Sequence, residues 1–128
     1  MGNGTSLGRV RGLGSAHNGA HHWLVQRFTA IGNLLLTVWL GVSLLLLPDF
    51  SYNTVVDWVA APLPATAMAL LIISTFWHAR LGLQVVIEDY VHEHANKFAA
   101  ITALNLAVFA GAGFGLFCVV RLALGAAA

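Results

Sequence analysis

Residues 62–90 have the sequence PLPATAMALLIISTFWHARLGLQVVIEDY, and this stretch decides the fold class. Up to residue 87 its only ionisable side chains are His78 and Arg80. A hydrocarbon core about 30 Å thick needs roughly 20 apolar residues to be crossed by a helix, and this stretch is long enough. Pro62 and Pro64 stand at its start, where proline is tolerated because its missing N–H would have no partner in a first helical turn. The stretch therefore predicts a transmembrane helix.

Two further apolar stretches flank it in the 128-residue chain, which is 59% hydrophobic and 9% charged. We expect three spans, at residues 26–47, 64–87 and 97–124. Their connections are short, about 15 and 10 residues, so consecutive helices should pack antiparallel. The sequence predicts an all-α fold: one membrane-anchor domain, residues 1–128, forming an integral membrane bundle of three transmembrane helices.

The distribution of charge predicts the orientation. Arg9 and Arg11 precede the first span and Arg27 lies at its start, whereas residues 48–62 contain no Lys or Arg. Positive residues favour the cytoplasmic side, so the N-terminal segment, residues 1–25, is expected there. No secretory signal or amphipathic import presequence precedes the first span, which favours a bacterial cell inner membrane.

Little in the sequence supports an independent catalytic domain. There is no glycine-rich phosphate-binding pattern between a strand and a helix. The single cysteine, Cys118, lies in an apolar stretch and can form no disulfide within the chain. Any enzymatic chemistry is therefore expected to be shared with partner chains.

His78 is the most informative residue, because ionisable side chains deep in a bilayer are costly and usually face a partner, a cofactor or a cavity. It lies about 18 Å along the helix from Thr66 and about 16 Å from Asp89. Ser74, His78 and Gly82 form one stripe, against which a flat macrocycle ligated by His78 could lie. The alternative is a histidine that forms a hydrogen bond to another helix, and spacing alone does not separate the two.

Three residues near the cytoplasmic surface are candidates for quinone or propionate contacts. Asp89 follows His78 by eleven residues and shares its face to within about 20° on a regular helix. Tyr90 can donate a hydrogen bond to a quinone carbonyl, and a neighbouring carboxylate can hold it or relay protons. Arg27 supplies a fixed cation. The alternative for Tyr90 and Asp89 is an interfacial tyrosine beside an acid that ends the helix, and the alternative for Arg27 is an ordinary positive anchor. Arg80 is too deep for an interfacial residue and should face a partner chain, a propionate or a polar cavity.

Two other patterns favour structural interpretations. Small residues at four-residue spacing in the third span, Ala107, Gly111 and Gly115, predict a helix-packing face. The remaining histidines are too few at any one place to indicate a metal site and are interpreted as solvated loop residues; they are His17, His21, His22, His92 and His94.

Residues 78–91, HARLGLQVVIEDYV, resemble the His-x-x-x-Gly-…-Asp-Tyr segment of the small hydrophobic membrane anchor of succinate dehydrogenase, respiratory complex II. Residues 13–16, LGSA, followed by residues 26–30, QRFTA, are similar to the start of the first span in that family. These segments, their order and the three-span layout cover most of the chain.

The resemblance implies a role in electron transfer from succinate to ubiquinone, with no enzyme activity in the isolated chain. It implies that His78 is one axial ligand of haem b, the other coming from a second, companion membrane anchor. Tyr90 with Asp89 would belong to the ubiquinone site, and Arg27 would lie near the haem propionates and the quinone pocket. Arg80 receives no role from the resemblance.

The partners that the resemblance implies are the flavoprotein subunit, the iron–sulfur subunit and the second membrane anchor. An anchor of a quinol:fumarate reductase and a cofactor-free structural or assembly protein of the membrane are the alternatives.

Overall fold

The computed structural model describes residues 19–125, which form helices and no strand. Four helices follow one another within this range: α1 (Gly19–Leu45), α2 (Tyr52–Ala60), α3 (Pro62–Tyr90) and α4 (His94–Ala123). Of these, α1, α3 and α4 are long and apolar enough to cross a membrane. The predicted all-α class with three candidate spans is confirmed. Arg9, Arg11, His17 and residues 13–16 lie outside the described residues.

The long helices extend beyond the predicted spans at most of their ends. They contain 27, 29 and 30 residues, or about 40–45 Å at 1.5 Å per residue, which matches a bilayer with its headgroup regions. An apolar run marks the hydrocarbon-crossing part of a helix, whereas the helix itself continues into the headgroups. Residues 1–25 were predicted to precede the first helix, but residues 19–25 already belong to α1.

The start of α4 illustrates how local hydrogen bonds move a helix boundary. The Glu93 carboxylate accepts hydrogen bonds from the backbone N–H groups of Ala95 (3.1 Å) and Asn96 (2.8 Å). It satisfies two of the donors that a helix N-terminus leaves unpaired. The helix consequently begins at His94 rather than near Lys97.

Helix α2 lies in the connection that the sequence predicted as a loop at residues 48–62. Ser51 caps it, and Asp49 accepts a hydrogen bond of 2.8 Å from the Ser51 backbone N–H. Hydrogen bonds, foremost that from the Ser51 side chain, hold the pKa of the Asp49 carboxyl below its usual value. Trp58 of α2 stacks on Trp39 of α1, with ring centroids 5.9 Å apart. This connection is therefore a packed helix.

Helix α3 lies between α1 and α4. It contacts both, whereas no Cα pair joining α1 to α4 comes within 8 Å in the described chain. Thr29 of α1 contacts His78 of α3, while Gly32, further along α1, faces Ser74, which comes earlier in α3. The contacts run in opposite order along the two helices, which confirms the predicted antiparallel packing.

Two glycines on α4 allow it to approach α3 closely. A Cβ atom added at Gly111 would lie 2.5 Å from the Phe76 ring, and one added at Gly115 would lie 3.1 Å from Ile72. The packing face predicted for these glycines is confirmed, because only small residues fit at such positions. Ala107, the third member of the pattern, is exposed.

Much of the apolar surface of the described chain is uncovered. Helix α1 has no buried residue, and large side chains such as Phe28 (77% exposed) and Phe114 (70% exposed) point outward. Apolar helix faces of this kind suit contact with lipid tails or with other membrane helices, since lipid is as apolar as the side chains.

Candidate functional site

His78 lies in the middle of α3 on the side that faces α1, and its ring is half-buried. Its Nδ1 atom is 3.0 Å from the Oγ1 atom of Thr29. The Thr29 hydroxyl also donates to its own helix, with the carbonyl oxygens of Val25 at 2.9 Å and Gln26 at 3.1 Å. His78 thus makes the interhelical hydrogen bond that the sequence left open, and it does so through only one of its two ring nitrogens.

The stripe formed by Ser74, His78 and Gly82 is less open than expected. Ser74 donates a 3.3 Å hydrogen bond to the carbonyl oxygen of Thr29. A Cβ atom at Gly82 would lie 3.6 Å from the side-chain nitrogen of Gln26. Helix α1 therefore lies beside part of the stripe, because small residues admit it, and the expectation that a macrocycle lies against the stripe stays a prediction.

A pocket of about 400 Å³ remains beside His78. It is lined by His78 of α3 and by Trp23, Gln26, Arg27 and Ala30 of α1. The Arg27 side chain is exposed, and its guanidinium carbon lies 5.5 Å from the centre of the Trp23 ring, a cation–π distance. The structure therefore brings two of the residues singled out in the sequence, His78 and Arg27, to one pocket.

A second pocket, of about 460 Å³, adjoins the first and shares Trp23 and Gln26 with it. Its lining also includes Glu88, close to the end of α3. Asp89 and Tyr90 are the last two residues of that helix, both are exposed, and neither lines these two pockets. Tyr90 is 80% exposed in the single chain. Any site that uses Tyr90 therefore needs further walls from outside the described residues.

Because α3 is continuous from Pro62 to Tyr90, the regular-helix relation expected between His78 and Asp89 applies. Eleven residues separate them by about 16 Å along the axis and by about 20° around it. A regular helix thus places Asp89 on the His78 face of α3, beyond the residues that line the two adjoining pockets.

Arg80 points to the other neighbour of α3. Its Nε–H donates a 2.6 Å hydrogen bond to the side-chain oxygen of Asn105 on α4, and its guanidinium lies 5.6 Å from the Trp77 ring. It also lines a pocket of about 280 Å³ between α3 and α1; whether Arg80 faces a partner chain, a propionate or a polar cavity in the complex stays a prediction. Asn105 was not singled out, although a polar side chain within an apolar span is itself a signal of pairing across helices.

The other histidines are arranged differently from the prediction of loop residues. His21 and His22 belong to the first turn of α1 and line the same pocket as Arg80. His94 is the first residue of α4, and among the histidines that the structure describes only His92 lies in a connection. Among residues 19–125, no three His, Cys, Asp or Glu side chains are grouped so that they could hold a metal ion.

Thr29 is the main contact that sequence reasoning missed at this site. It lies one helical turn after Val25 and faces His78 from α1. Its hydroxyl could have been noticed as one of the polar groups in the first span, since such groups tend to pair across helices in a membrane. The partner itself is decided by how α1 and α3 pack.

Fold and site together define a class of protein: a helical membrane anchor with a polar pocket around an intramembrane histidine. Residues 1–112 match the family model described as "Succinate dehydrogenase/Fumarate reductase transmembrane subunit".

Proteins named succinate dehydrogenase hydrophobic membrane anchor subunit are similar over most of their length. The Rickettsia bellii protein is 35% identical over 98 residues, covering 77% of this chain and 78% of the relative. The Rickettsia conorii protein is 32% identical over 115 residues, covering 89% and 83%. The Paracoccus denitrificans protein is 29% identical over 119 residues, covering 91% and 90%.

The chain belongs to the succinate dehydrogenase/fumarate reductase transmembrane subunit family, as a hydrophobic membrane anchor subunit of succinate dehydrogenase.

Proposed function

We propose that this anchor supplies one axial ligand of haem b through His78 and part of the ubiquinone-reduction site through Tyr90, Asp89 and Arg27. It thereby takes part in electron transfer from succinate to quinone. The observation that carries the proposal is the single pocket in which an intramembrane histidine and an arginine from the neighbouring helix meet.

The residues of this pocket fit a haem in their chemistry. Imidazole is a common axial ligand of haem iron. The guanidinium of Arg27 offers a fork of N–H donors that suits a carboxylate such as a propionate. When bound, haem b supplies a centre that takes up and releases single electrons. His78 would hold it from the α3 side, and Arg27 would neutralise and orient its propionates.

A second axial histidine is expected from the companion membrane anchor. Helices α1 and α3 contribute no histidine other than His78 to this pocket. The haem would then lie between two chains. The uncovered apolar faces of α1 and α4 leave room for such a neighbour. The flavoprotein and iron–sulfur subunits would complete the complex.

The quinone part of the proposal rests on the end of α3. Tyr90 can donate a hydrogen bond to a quinone carbonyl oxygen, and the adjacent Asp89 carboxylate can accept and return protons as that oxygen is reduced. The two adjoining pockets, one lined by His78 and the other by Glu88, support a short distance between the haem site and the quinone site. A cytoplasmic N-terminus follows from the charge pattern, and it belongs to the same proposal as a bacterial inner-membrane location.

Reduced-minus-oxidised spectra of the purified complex test the haem assignment. We expect His78→Ala to lose the b-type haem signal while the chain still co-purifies with the complex. His92→Ala is the matched control, because this histidine is exposed in the connection between α3 and α4, and its spectrum should equal that of the wild type. A normal haem signal in the His78→Ala complex would contradict the proposal, because the haem would then be held without His78.

A further inference from the structure

We propose that Thr29 is a positioning residue that fixes the tautomer and orientation of His78, so that the ring carries its proton on Nδ1 and presents an unprotonated Nε2 to iron. The inference rests on the proposed haem role of His78 and adds a residue to it. It names the group that selects which ring nitrogen is available.

The tautomer follows from counting hydrogens at Thr29. A threonine hydroxyl has one hydrogen to donate and two lone pairs that accept. The Oγ1 atom lies 2.9 Å from the carbonyl oxygen of Val25 and 3.1 Å from that of Gln26, and neither carbonyl can donate. The hydroxyl hydrogen therefore goes to its own helix, the usual pattern for threonine within a helix.

The contact with His78 must then run in the other direction. With its hydrogen directed to α1, the Thr29 oxygen acts as acceptor at 3.0 Å, so Nδ1–H of His78 is the donor. In a neutral imidazole the other nitrogen then has no hydrogen and offers a lone pair. Nε2 is the nitrogen that can bind a metal.

A neighbouring hydrogen bond joins the same two helices beside Thr29 and His78. Ser74, one turn before His78, donates to the carbonyl oxygen of Thr29 at 3.3 Å. This bond links the backbone of α1 to α3 at the same residue whose hydroxyl holds the imidazole. Ser74 therefore supports the packing of the helices, whereas the Thr29 hydroxyl acts on the ring.

A hydrogen bond that accepts the Nδ1 proton makes an imidazole a stronger donor to metal. A stronger donor favours ferric over ferrous iron, so this bond should lower the midpoint potential of the haem. Loss of such an outer contact typically weakens metal binding about 10–100-fold. A tenfold loss of the ferric-over-ferrous preference corresponds to a shift of about 59 mV.

The test is a redox titration of the haem in the purified complex, together with its haem content per chain. Thr29→Val keeps the branched shape and removes the hydroxyl; we expect the midpoint potential to rise by about 59 mV or more, with reduced haem retention. Thr29→Ala should give the same shift, which keeps the test decisive if the valine variant fails to assemble. Thr29→Ser retains the hydroxyl and should restore the wild-type potential.

Ser74→Ala is the control for packing, since it removes an α1–α3 hydrogen bond without touching His78. The midpoint potential of the haem in this variant should stay at the wild-type value. Two results would overturn the inference: equal shifts of the haem potential in Ser74→Ala and Thr29→Val, or a wild-type potential in both Thr29→Val and Thr29→Ala. In either case, loss of haem in His78→Ala would still uphold the proposed function. Haem retained in His78→Ala would overturn both.

Discussion

The two interfaces of α3 are built differently. Towards α1, hydrogen bonds join Thr29 to His78, Ser74 to a backbone carbonyl and Thr75 to Asn33, and a pocket of about 400 Å³ remains between the helices. Towards α4, Gly111 and Gly115 bring the helices into close contact.

The difference shows how one helix can serve two purposes. Polar groups and open volume on the α1 side are suited to holding a cofactor, and they contribute little close packing. The α4 side supplies van der Waals contact, which is a main source of helix association in a membrane. We therefore expect substitutions on the α4 side to change stability, and substitutions of the polar residues assigned to function to change electron transfer.

The largest effect expected is that of Gly111→Ala. The added Cβ atom would lie 2.5 Å from the Phe76 ring, so the ring or the helix must move, at a cost of about 1–3 kcal/mol. The thermal dissociation midpoint of the purified complex should fall, while the haem potential stays unchanged.

Two other glycines provide controls for this substitution. Gly113 on the same helix has open space where a Cβ atom would go, and Gly32 on α1 would place one 3.5 Å from the Ser74 hydroxyl, an ordinary contact. Alanine at either position should leave the midpoint near the wild-type value. A similar loss of stability at all three positions would show that the α4 side is not the tighter interface.

Next in size is the effect of Tyr90→Phe on activity. Removing the hydroxyl should lower succinate:quinone activity about tenfold, the effect of losing a hydrogen bond worth about 1.4 kcal/mol. Succinate oxidation with a soluble artificial acceptor should continue, and the dissociation midpoint should not change. Tyr52→Phe, at the other tyrosine of the chain, should retain both activities. If Tyr90→Phe lowers both activities equally, the loss reflects assembly rather than quinone chemistry.

The smallest effect expected is that of Asn105→Leu. It removes the acceptor of the 2.6 Å hydrogen bond from Arg80, and interhelical hydrogen bonds in membranes are worth about 0.6 kcal/mol on average. The same dissociation measurement should show a slight decrease, smaller than that of Gly111→Ala. A larger decrease than for the glycine variant would mean that the polar contact, rather than close packing, holds α4 to α3.

Much of the fold was predictable from local pattern. Apolar runs of sufficient length mark the three long helices, and Pro62 and Pro64 mark the start of α3. Helix α2 was missed although the hydrogen bond that caps its start is local, from the Thr54 backbone N–H to the Ser51 side chain. A nine-residue helix is shorter than the window of residues over which an apolar period is normally identified.

The candidate site was predictable residue by residue but not as an arrangement. His78 stands out because an imidazole deep in a membrane needs a partner, and Arg27 because it is a cation at the start of a span. That these two residues line one pocket depends on the antiparallel packing of α1 against α3. The contacts of α1 with Ser74 and Gly82 in the stripe around His78 depend on the same packing.

The sequence by itself determined that the described chain forms long apolar helices, because apolar runs of this length suit lipid and a helix pairs its backbone groups within the same segment. It also determined which side chains are so polar that they need a partner within a membrane. Only the tertiary structure decided the partners of these side chains: Thr29 for His78 and Asn105 for Arg80. Each pair joins two different helices, so its contact depends on how those helices pack, which no local pattern specifies.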